Sequence, residues 1–253
     1  DRFLARCLRC GQCMRVCPAD IIQPAFWESG IQGLWSPVIN YRLGRSGCQP
    51  NCIACGQVCP TAAIRPLSLE EKHGQGDYAS QGPIRMGTAF VDRGRCLPWA
   101  LDRPCLVCHE VCPVSPKAIF TRTVYDVIRD GQELPVRVIT KGVDLYAPVP
   151  HGVNLASGDY YLRVNGRPDA VLRRIVGFSG NRLTLDASLA AGDSQVFYGA
   201  KVDILVRLQR PFIDPTRCIG CGMCEHECPV SGQRAIRVFS ENESRARAGR
   251  LLA

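Results

Sequence analysis

The sixteen cysteines of this chain fall into four groups of four, and each group ends in Cys-Pro. The groups are Cys7, Cys10, Cys13 and Cys17; Cys48, Cys52, Cys55 and Cys59; Cys96, Cys105, Cys108 and Cys112; and Cys218, Cys221, Cys224 and Cys228. Groups one and four have the C-x2-C-x2-C-x3-C-P spacing of bacterial iron–sulfur sites. Groups two and three keep the end of this pattern but have a longer first gap. The spacing predicts four 4Fe-4S clusters held by all sixteen cysteines.

Two other uses of cysteine fit this pattern less well. Disulfides are expected in small secreted chains with an even cysteine count, but they do not account for four Cys-Pro endings. Zinc sites pair two C-x2-C motifs across a longer spacer and have no need of the proline. Because each iron would receive a cysteine, we expect no open iron and no catalytic residues. The chain is therefore predicted to carry electrons and not to be an enzyme.

The basic composition has an internal explanation. The formal net charge is +8 at pH 7. An oxidised cluster with its four thiolates carries a charge of about −2, so four clusters would offset this excess. Arginines next to the cysteines, such as Arg6, Arg9 and Arg95, suit this compensation. We therefore expect no nucleic-acid partner.

The fourth cysteine of each group is expected to bind the cluster of a neighbouring group. A nested pairing joins group one with four and group two with three; a sequential pairing joins one with two and three with four. We favour the nested pairing, because groups one and four share the regular spacing and groups two and three the irregular one. Its ligand sets are Cys7, Cys10, Cys13 and Cys228; Cys17, Cys218, Cys221 and Cys224; Cys48, Cys52, Cys55 and Cys112; and Cys59, Cys96, Cys105 and Cys108.

One long segment, 124–208, has no cysteine and shows the alternation of β-strands. Apolar residues alternate with polar ones around Tyr160–Val164 and again over Val202–Leu208. Asn165-Gly166 is a turn signal, and Ser179–Asn181 separates two short strands as a hairpin. Seven or eight short strands at this spacing predict a β-sandwich or a β-barrel.

The predicted fold class is α+β, with two bacterial-ferredoxin-like two-cluster modules and an inserted all-β domain. An internal repeat supports the modules, because Phe90-Val91-Asp92 and Phe212-Ile213-Asp214 each precede an Arg-Cys pair. The predicted boundaries are 1–47 for the first motif and a linker, 48–123 for one module, 124–208 for the β-domain, 209–240 for the fourth motif, which completes the second module with 1–20, and 241–253 for a polar tail.

Shorter segments give more local expectations. Residues 21–47 are predicted to be a helix and a loop packed over a cluster, with Trp27 and Trp35 shielding it. Thr61–Ile64 is predicted to be a short strand, and the connector 68–87 a loop. The histidines between the third and fourth cysteines of two groups are expected to be exposed helix residues; they are His109 and His226.

Two runs resemble the polyferredoxins of the MauM/NapG family. Arg6-Cys7-Leu8-Arg9-Cys10-Gly11 resembles their first motif, and the run from Cys96-Leu97-Pro98-Trp99 to Cys112-Pro113 resembles their third. The similarity covers residues 1–120 and 210–240. It implies an electron relay beside a membrane-bound quinol-oxidising subunit, with a periplasmic reductase or cytochrome at the other end. The alternatives are an iron–sulfur subunit of a molybdenum enzyme or hydrogenase, whose second and fourth motifs are spaced differently, and a cytoplasmic polyferredoxin.

The remaining expectations concern location and partners. No stretch of eighteen apolar residues is present, so we expect no transmembrane segment. Membrane association would then occur through partners, at the periplasmic or exoplasmic face, with the cytoplasmic face as the alternative. The chain begins with Asp1, so a leader or an anchor could precede it. The β-domain is expected to be a docking module.

Overall fold

The computed structural model describes residues 2–139, 142–145, 153–164, 171–187 and 200–244. It divides into two compact units. Unit 1 consists of Asp1–Cys96, Leu106–Phe120 and Pro211–Ala253, and unit 2 of Leu97–Cys105 and Thr121–Arg210. The stretch Leu97–Cys105, predicted to belong to a cluster module, is thus grouped with the β-rich unit.

The helices are short and the strands carry most of the regular structure. The helices are α1 (Arg2–Arg6), α2 (Gln12–Val16), α3 (Gly30–Gly33), α4 (Ala54–Gln57), α5 (Leu69–His73), α6 (Leu97–Ala100), α7 (Val107–Glu110) and α8 (Met223–His226). The strands are β1 (Ile22–Pro24), β2 (Pro37–Ile39), β3 (Thr88–Val91), β4 (Ile119–Val127), β5 (Leu134–Ile139), β6 (Gly142–Leu145), β7 (Tyr160–Val164), β8 (Arg173–Ser179), β9 (Arg182–Leu185), β10 (Ala200–Ile213) and β11 (Ile236–Phe239). None of the helices in the described ranges has the length and apolar character needed to cross a membrane.

Unit 2 is built around a sheet that closes on itself. The strand order is β10-β5-β6-β9-β8-β7, and β7 pairs again with β10; β4 also pairs with β10. A sheet closed in this way is a barrel, one of the two architectures that the alternation predicted. The predicted hairpin is formed by β8 and β9, whose ends pair at Ser179 and Arg182. The predicted turn at Asn165-Gly166 lies outside the described residues.

The barrel interior is filled by branched apolar side chains. Along β10, every second residue from Val202 to Leu208 is fully buried, as the alternation predicted. Leu162 of β7 and Ile175 of β8 are also fully buried in the same cluster. An ion pair lies on the other face of these strands: a nitrogen of the half-buried Arg163 is 3.0 Å from a carboxylate oxygen of the buried Asp203. The backbone N–H of Glu133 donates to the other oxygen of that carboxylate at 3.0 Å.

In unit 1, the predicted repeat forms two equivalent backbone contacts. The Asp92 N–H donates to the Ala235 carbonyl at 2.7 Å, and the Asp214 N–H donates to the Ala118 carbonyl at 2.8 Å. Strand β3 pairs antiparallel with β11. The aspartate before group three thus contacts the segment after group four, and the aspartate before group four contacts the segment after group three. These two contacts bring groups three and four together.

The segment 21–47 differs from its prediction. Strands β1 and β2 form an antiparallel hairpin. Beyond it, the Ala25 N–H donates to the Ser36 carbonyl at 2.7 Å. Trp27 is 76% exposed and Trp35 55% exposed, so the expected shielding by these rings is wrong. The buried side chains of this segment include Ile21, Ala25, Ser36 and Tyr41, and neither tryptophan is among them.

Thr61–Ile64 is not a strand. After Cys59 the chain turns back on itself, with the Ala62 N–H donating to the Cys59 carbonyl at 3.2 Å. The Ile64 N–H then donates to the Cys59 sulfur at 3.4 Å. The backbone hydrogen bonds that a strand would direct to a neighbour go to the cysteine instead.

The connector 68–87 is not an uninterrupted loop. Helix α5 begins after Ser68, whose hydroxyl accepts a hydrogen bond from the Glu71 N–H at 3.0 Å. Ser-x-x-Glu is a capping-box sequence, and it is the signal that could have predicted this helix. Of the predicted polar tail, residues 245–253 lie outside the described part of the chain. Ser244 is held by Arg85, whose backbone N–H donates to its hydroxyl at 2.8 Å.

Candidate iron–sulfur sites

Four cysteines line one pocket in the first part of unit 1. They are Cys7, Cys10 and Cys13 of group one and Cys59 of group two, and we call them set A. Helix α2 carries Cys13 and packs against α4. Gly11, with φ of +73°, makes the turn that precedes α2. The Cys10 side chain is exposed, so this pocket lies at the surface of unit 1.

A second set of thiols combines the first three cysteines of group two with the fourth cysteine of group one. Burial raises the pKa of the Cys48 thiol, the Lys72 ammonium opposes the rise, and the charges of three neighbouring thiols add to it. These neighbours are Cys55, Cys52 and Cys17. Burial also raises the pKa of Cys55, and Cys52 and Cys17 again contribute. We call these four cysteines set B.

A third set involves groups three and four. Burial raises the pKa of Cys221 to about 11, with further contributions from the charges of Cys218 and Cys112. Burial raises the pKa of Cys224 well above its usual value, and the charges of four thiols add to the rise: Cys221, Cys218, Cys108 and Cys112. We call Cys112, Cys218, Cys221 and Cys224 set C. All four cysteines of group four are buried.

The structure therefore groups the thiols differently from the nested pairing. That pairing put Cys17 with group four and Cys112 with group two, whereas Cys17 lies beside group two and Cys112 beside group four. It also put Cys59 with group three, whereas Cys59 lines the group-one pocket. The physical reason is the closure of β3 on β11, which joins the segments around groups three and four. Four cysteines are not placed in sets A to C, and we refer to them as set D: Cys96, Cys105, Cys108 and Cys228.

The chemistry of the donors in sets A to C suits an iron–sulfur cluster. All sixteen cysteines are free thiols, not disulfides. A zinc site needs its sulfurs within about 3.8 Å of one another, since each lies ~2.3 Å from the ion. Among the described residues, no group of three or more cysteine, histidine or acidic side chains is arranged to hold a single metal ion. Four thiols in each of these sets would supply one sulfur ligand to each iron of a 4Fe-4S cluster.

Backbone N–H groups point at two of these sulfurs. The Ile64 N–H donates to Cys59 in set A, and the Ala89 N–H donates to Cys218 in set C, each at 3.4 Å. Hydrogen bonds to cysteine sulfur stabilise its negative charge and contribute to the potential of a bound cluster.

Sets B and C lie directly against each other. The Cys48 N–H donates to the Cys221 carbonyl at 2.7 Å, and the charge of the Cys48 thiol contributes to the raised pKa of Cys221. The Tyr41 hydroxyl donates to the Gly220 carbonyl at 2.6 Å and is buried at this contact. A Cβ on Gly222 would lie 2.1 Å from the Tyr41 ring, so only glycine fits there. Tyr41 was missed by sequence reasoning, since a single tyrosine in a cysteine-free segment gives no signal of its own.

The two histidines are less exposed than predicted. The His226 ring lies with Nδ1 3.0 Å from the Tyr41 carbonyl, and its side chain is 21% exposed. His109 is half-buried, with Nδ1 fully enclosed. Both occupy one-turn helices packed against each other, α7 and α8, which accounts for their burial.

Comparison with known proteins identifies the cysteine-rich part of the chain. The family described as "4Fe-4S binding domain" matches residues 4–23 and 211–231, which contain all of groups one and four. A methylamine utilization ferredoxin-type protein MauM from Methylophilus methylotrophus is 33% identical over 125 residues, 48% of this chain and 49% of that protein. Ferredoxin-type proteins NapG from Haemophilus influenzae and Escherichia coli are each 31% identical, over 138 and 120 residues, and the matches cover 52% and 47% of this chain and 43% and 46% of those proteins.

The chain spans about half the length of the curated relatives it matches. The relatives are named as ferredoxin-type proteins, and the family match is to iron–sulfur binding segments at both ends of the cysteine-rich part. Over the half that these matches cover, the chain is similar to the MauM and NapG ferredoxin-type proteins.

Proposed function

We propose that this chain relays single electrons through four 4Fe-4S clusters between protein partners of a membrane-associated redox complex. The observation that carries the proposal is the exchange of the fourth cysteine, with Cys17 beside group two and Cys59 beside group one. This is the arrangement by which two-cluster ferredoxins hold neighbouring clusters. The proposed ligand sets are sets A, B, C and D.

When bound, each cluster would accept and release one electron. The chain supplies the surroundings that determine how readily it does so. Set A has the exposed Cys10, whereas three of the four cysteines of set C are buried. In this proposal, sets A and B share their cysteines within one module, and sets C and D share theirs within the other. The hydrogen bond from the Cys48 N–H to the Cys221 carbonyl connects set B with set C. These contacts support a linear order A, B, C, D, with exchange of electrons with a partner at the exposed set A.

All sixteen cysteines serve as ligands in this proposal, so every iron has a protein thiolate. A substrate would have no open iron position at which to bind. The chain is accordingly proposed to be an electron-transfer subunit without an active site of its own.

The partners are proposed from the resemblance to MauM and NapG proteins. They are a membrane quinol-oxidising subunit and a cytochrome or reductase, at the periplasmic or exoplasmic face. Unit 2 is proposed to be an inserted docking domain, because it has a closed apolar core of its own. Removal of residues 124–208 should release a co-purifying partner while the iron content stays unchanged. Retention of the partner by this variant would refute the docking role.

The cluster count is tested on protein purified without oxygen. We expect about 16 irons per chain, and, after reduction, low-temperature EPR signals broadened by magnetic interaction between neighbouring clusters. Separate signals without interaction, or zinc in place of iron, would refute the relay.

A further inference from the structure

A lysine ammonium lies against the cysteines of set B. Lys72 belongs to helix α5 in the connector that follows group two. Its Nζ donates to the Gln49 carbonyl at 2.8 Å and to the Cys52 carbonyl at 2.5 Å. The same nitrogen is 3.8 Å from the Cys48 sulfur. Two of the three contacts are thus to backbone oxygens of the loop that carries the set B cysteines, and the third is to a sulfur.

The helix that carries Lys72 is fixed by contacts on several sides. Its first turn is capped by Ser68, and the Lys72 carbonyl accepts a hydrogen bond from the Ile84 N–H at 3.0 Å. The neighbouring side chain, His73, contacts the Asn51 amide oxygen at 3.0 Å. Since Lys72 is half-buried, its charge is held at one place and is less screened than a surface charge.

We propose that Lys72 sets the reduction potential of the cluster held by set B, making it more positive than the same site would be without this charge. The inference rests on the proposed electron relay. Reduction adds one electron to the cluster and so one negative charge. A fixed positive charge nearby stabilises the reduced form more than the oxidised form. The electron comes from the donor partner, and the cluster becomes more negative by one charge.

The expected size follows from the distances. A unit charge a few ångströms from the nearest sulfur, at an effective dielectric constant of about 20, changes the equilibrium constant for reduction by about tenfold or more. For a one-electron couple, tenfold corresponds to ~59 mV. Such a difference would make set B a favourable position for the electron within the first module.

Lys117 provides a matched control. Its Nζ also donates to two backbone carbonyls, those of His109 at 2.7 Å and Glu110 at 2.9 Å. It therefore resembles Lys72 in charge, in length and in its two carbonyl contacts, but it lies on group three. Substitution of either lysine removes the same charge and the same kind of hydrogen bonds.

The test is a redox titration of the loaded protein, followed by EPR, for K72M, K72Q, K72R and K117M. We expect K72M and K72Q to lower one midpoint potential by an amount equal to about tenfold in the equilibrium constant, and K72R to restore it. K117M should leave that potential in place. K72Q separates charge from hydrogen bonding, because glutamine donates but carries no charge.

Three outcomes would overturn the inference. One is a K72Q protein with full iron content and four unchanged potentials. Another is a K117M protein in which the same potential moves equally. The last is loss of the set B iron in both K72M and K72Q, which would show that Lys72 holds the loop in place and does not set the potential. In each case the unsubstituted protein would still contain its clusters, whereas failure of the proposed function would appear as missing clusters in that protein.

Discussion

Iron content can distinguish the two ways of pairing the cysteine groups. In the sequential arrangement, Cys7 and Cys59 bind the same cluster, whereas in the nested arrangement they bind different clusters. A chain with four clusters holds about 16 irons. The double variant Cys7→Ala/Cys59→Ala should therefore lose one site and keep about 12 irons if the pocket lined by both residues is set A. It should keep about 8 if the pairing is nested.

The double variant Cys7→Ala/Cys228→Ala is the matched control, since it removes the same number of thiols and shares one substitution. The sequential arrangement predicts the opposite result for it, with two sites affected and about 8 irons left. Iron and labile sulfide are measured after anaerobic purification. A cluster that loses one cysteine ligand but keeps three irons is detected by EPR and is counted as an altered site. The reasoning is refuted if the variant lacking Cys7 and Cys228 retains more iron than the variant lacking Cys7 and Cys59.

Two further predictions concern stability. Gly222→Ala should lower the melting temperature and the iron content much more than Gly11→Ala. Both glycines have positive φ, but only a Cβ at position 222 would meet the Tyr41 ring. Equal losses in the two variants would show that backbone strain alone matters. Asp203→Ala should reduce the free energy of unfolding of the barrel by ~3 kcal/mol, because it removes the counter-charge of the half-buried Arg163 and the acceptor of the Glu133 N–H. Glu133→Ala removes an exposed ion pair and should cost less than ~1 kcal/mol in the same urea titration, so similar costs would contradict the role assigned to burial.

The sequence was informative where a local pattern corresponds to a local structure. The alternation in Val202–Leu208 predicted the buried face of β10, and the spacing of groups one and four predicted the two segments that match the 4Fe-4S family. For groups two and three, the ligand role remains a prediction. Short-range periodicity is sufficient in these cases because each side chain's environment is determined by its own strand or loop.

Contacts between distant segments were predicted less well. The pairing was inferred from the gap lengths of the groups, although the Phe-Val-Asp and Phe-Ile-Asp repeat contained the better signal, since Asp92 and Asp214 make equivalent hydrogen bonds in one module. The position of Lys72 could not be predicted, because it depends on how a connector helix docks on a loop some twenty residues earlier. Tertiary packing, and not propensity, determines such contacts.

The pairing of β3 with β11 has a consequence for how the protein matures. The paired residues Val91 and Ile236 are separated by roughly 145 residues, whereas only the segment 18–47 lies between groups one and two. At a synthesis rate of ~5–20 residues per second, the ribosome needs on the order of 7–30 s to progress from one strand to the other. During that interval the early module has all its thiols available, while Cys96, Cys105, Cys108 and Cys112 await their partners. Iron–sulfur delivery to the nascent chain should therefore proceed in two stages, with the late thiols exposed to oxidation until the final strand emerges.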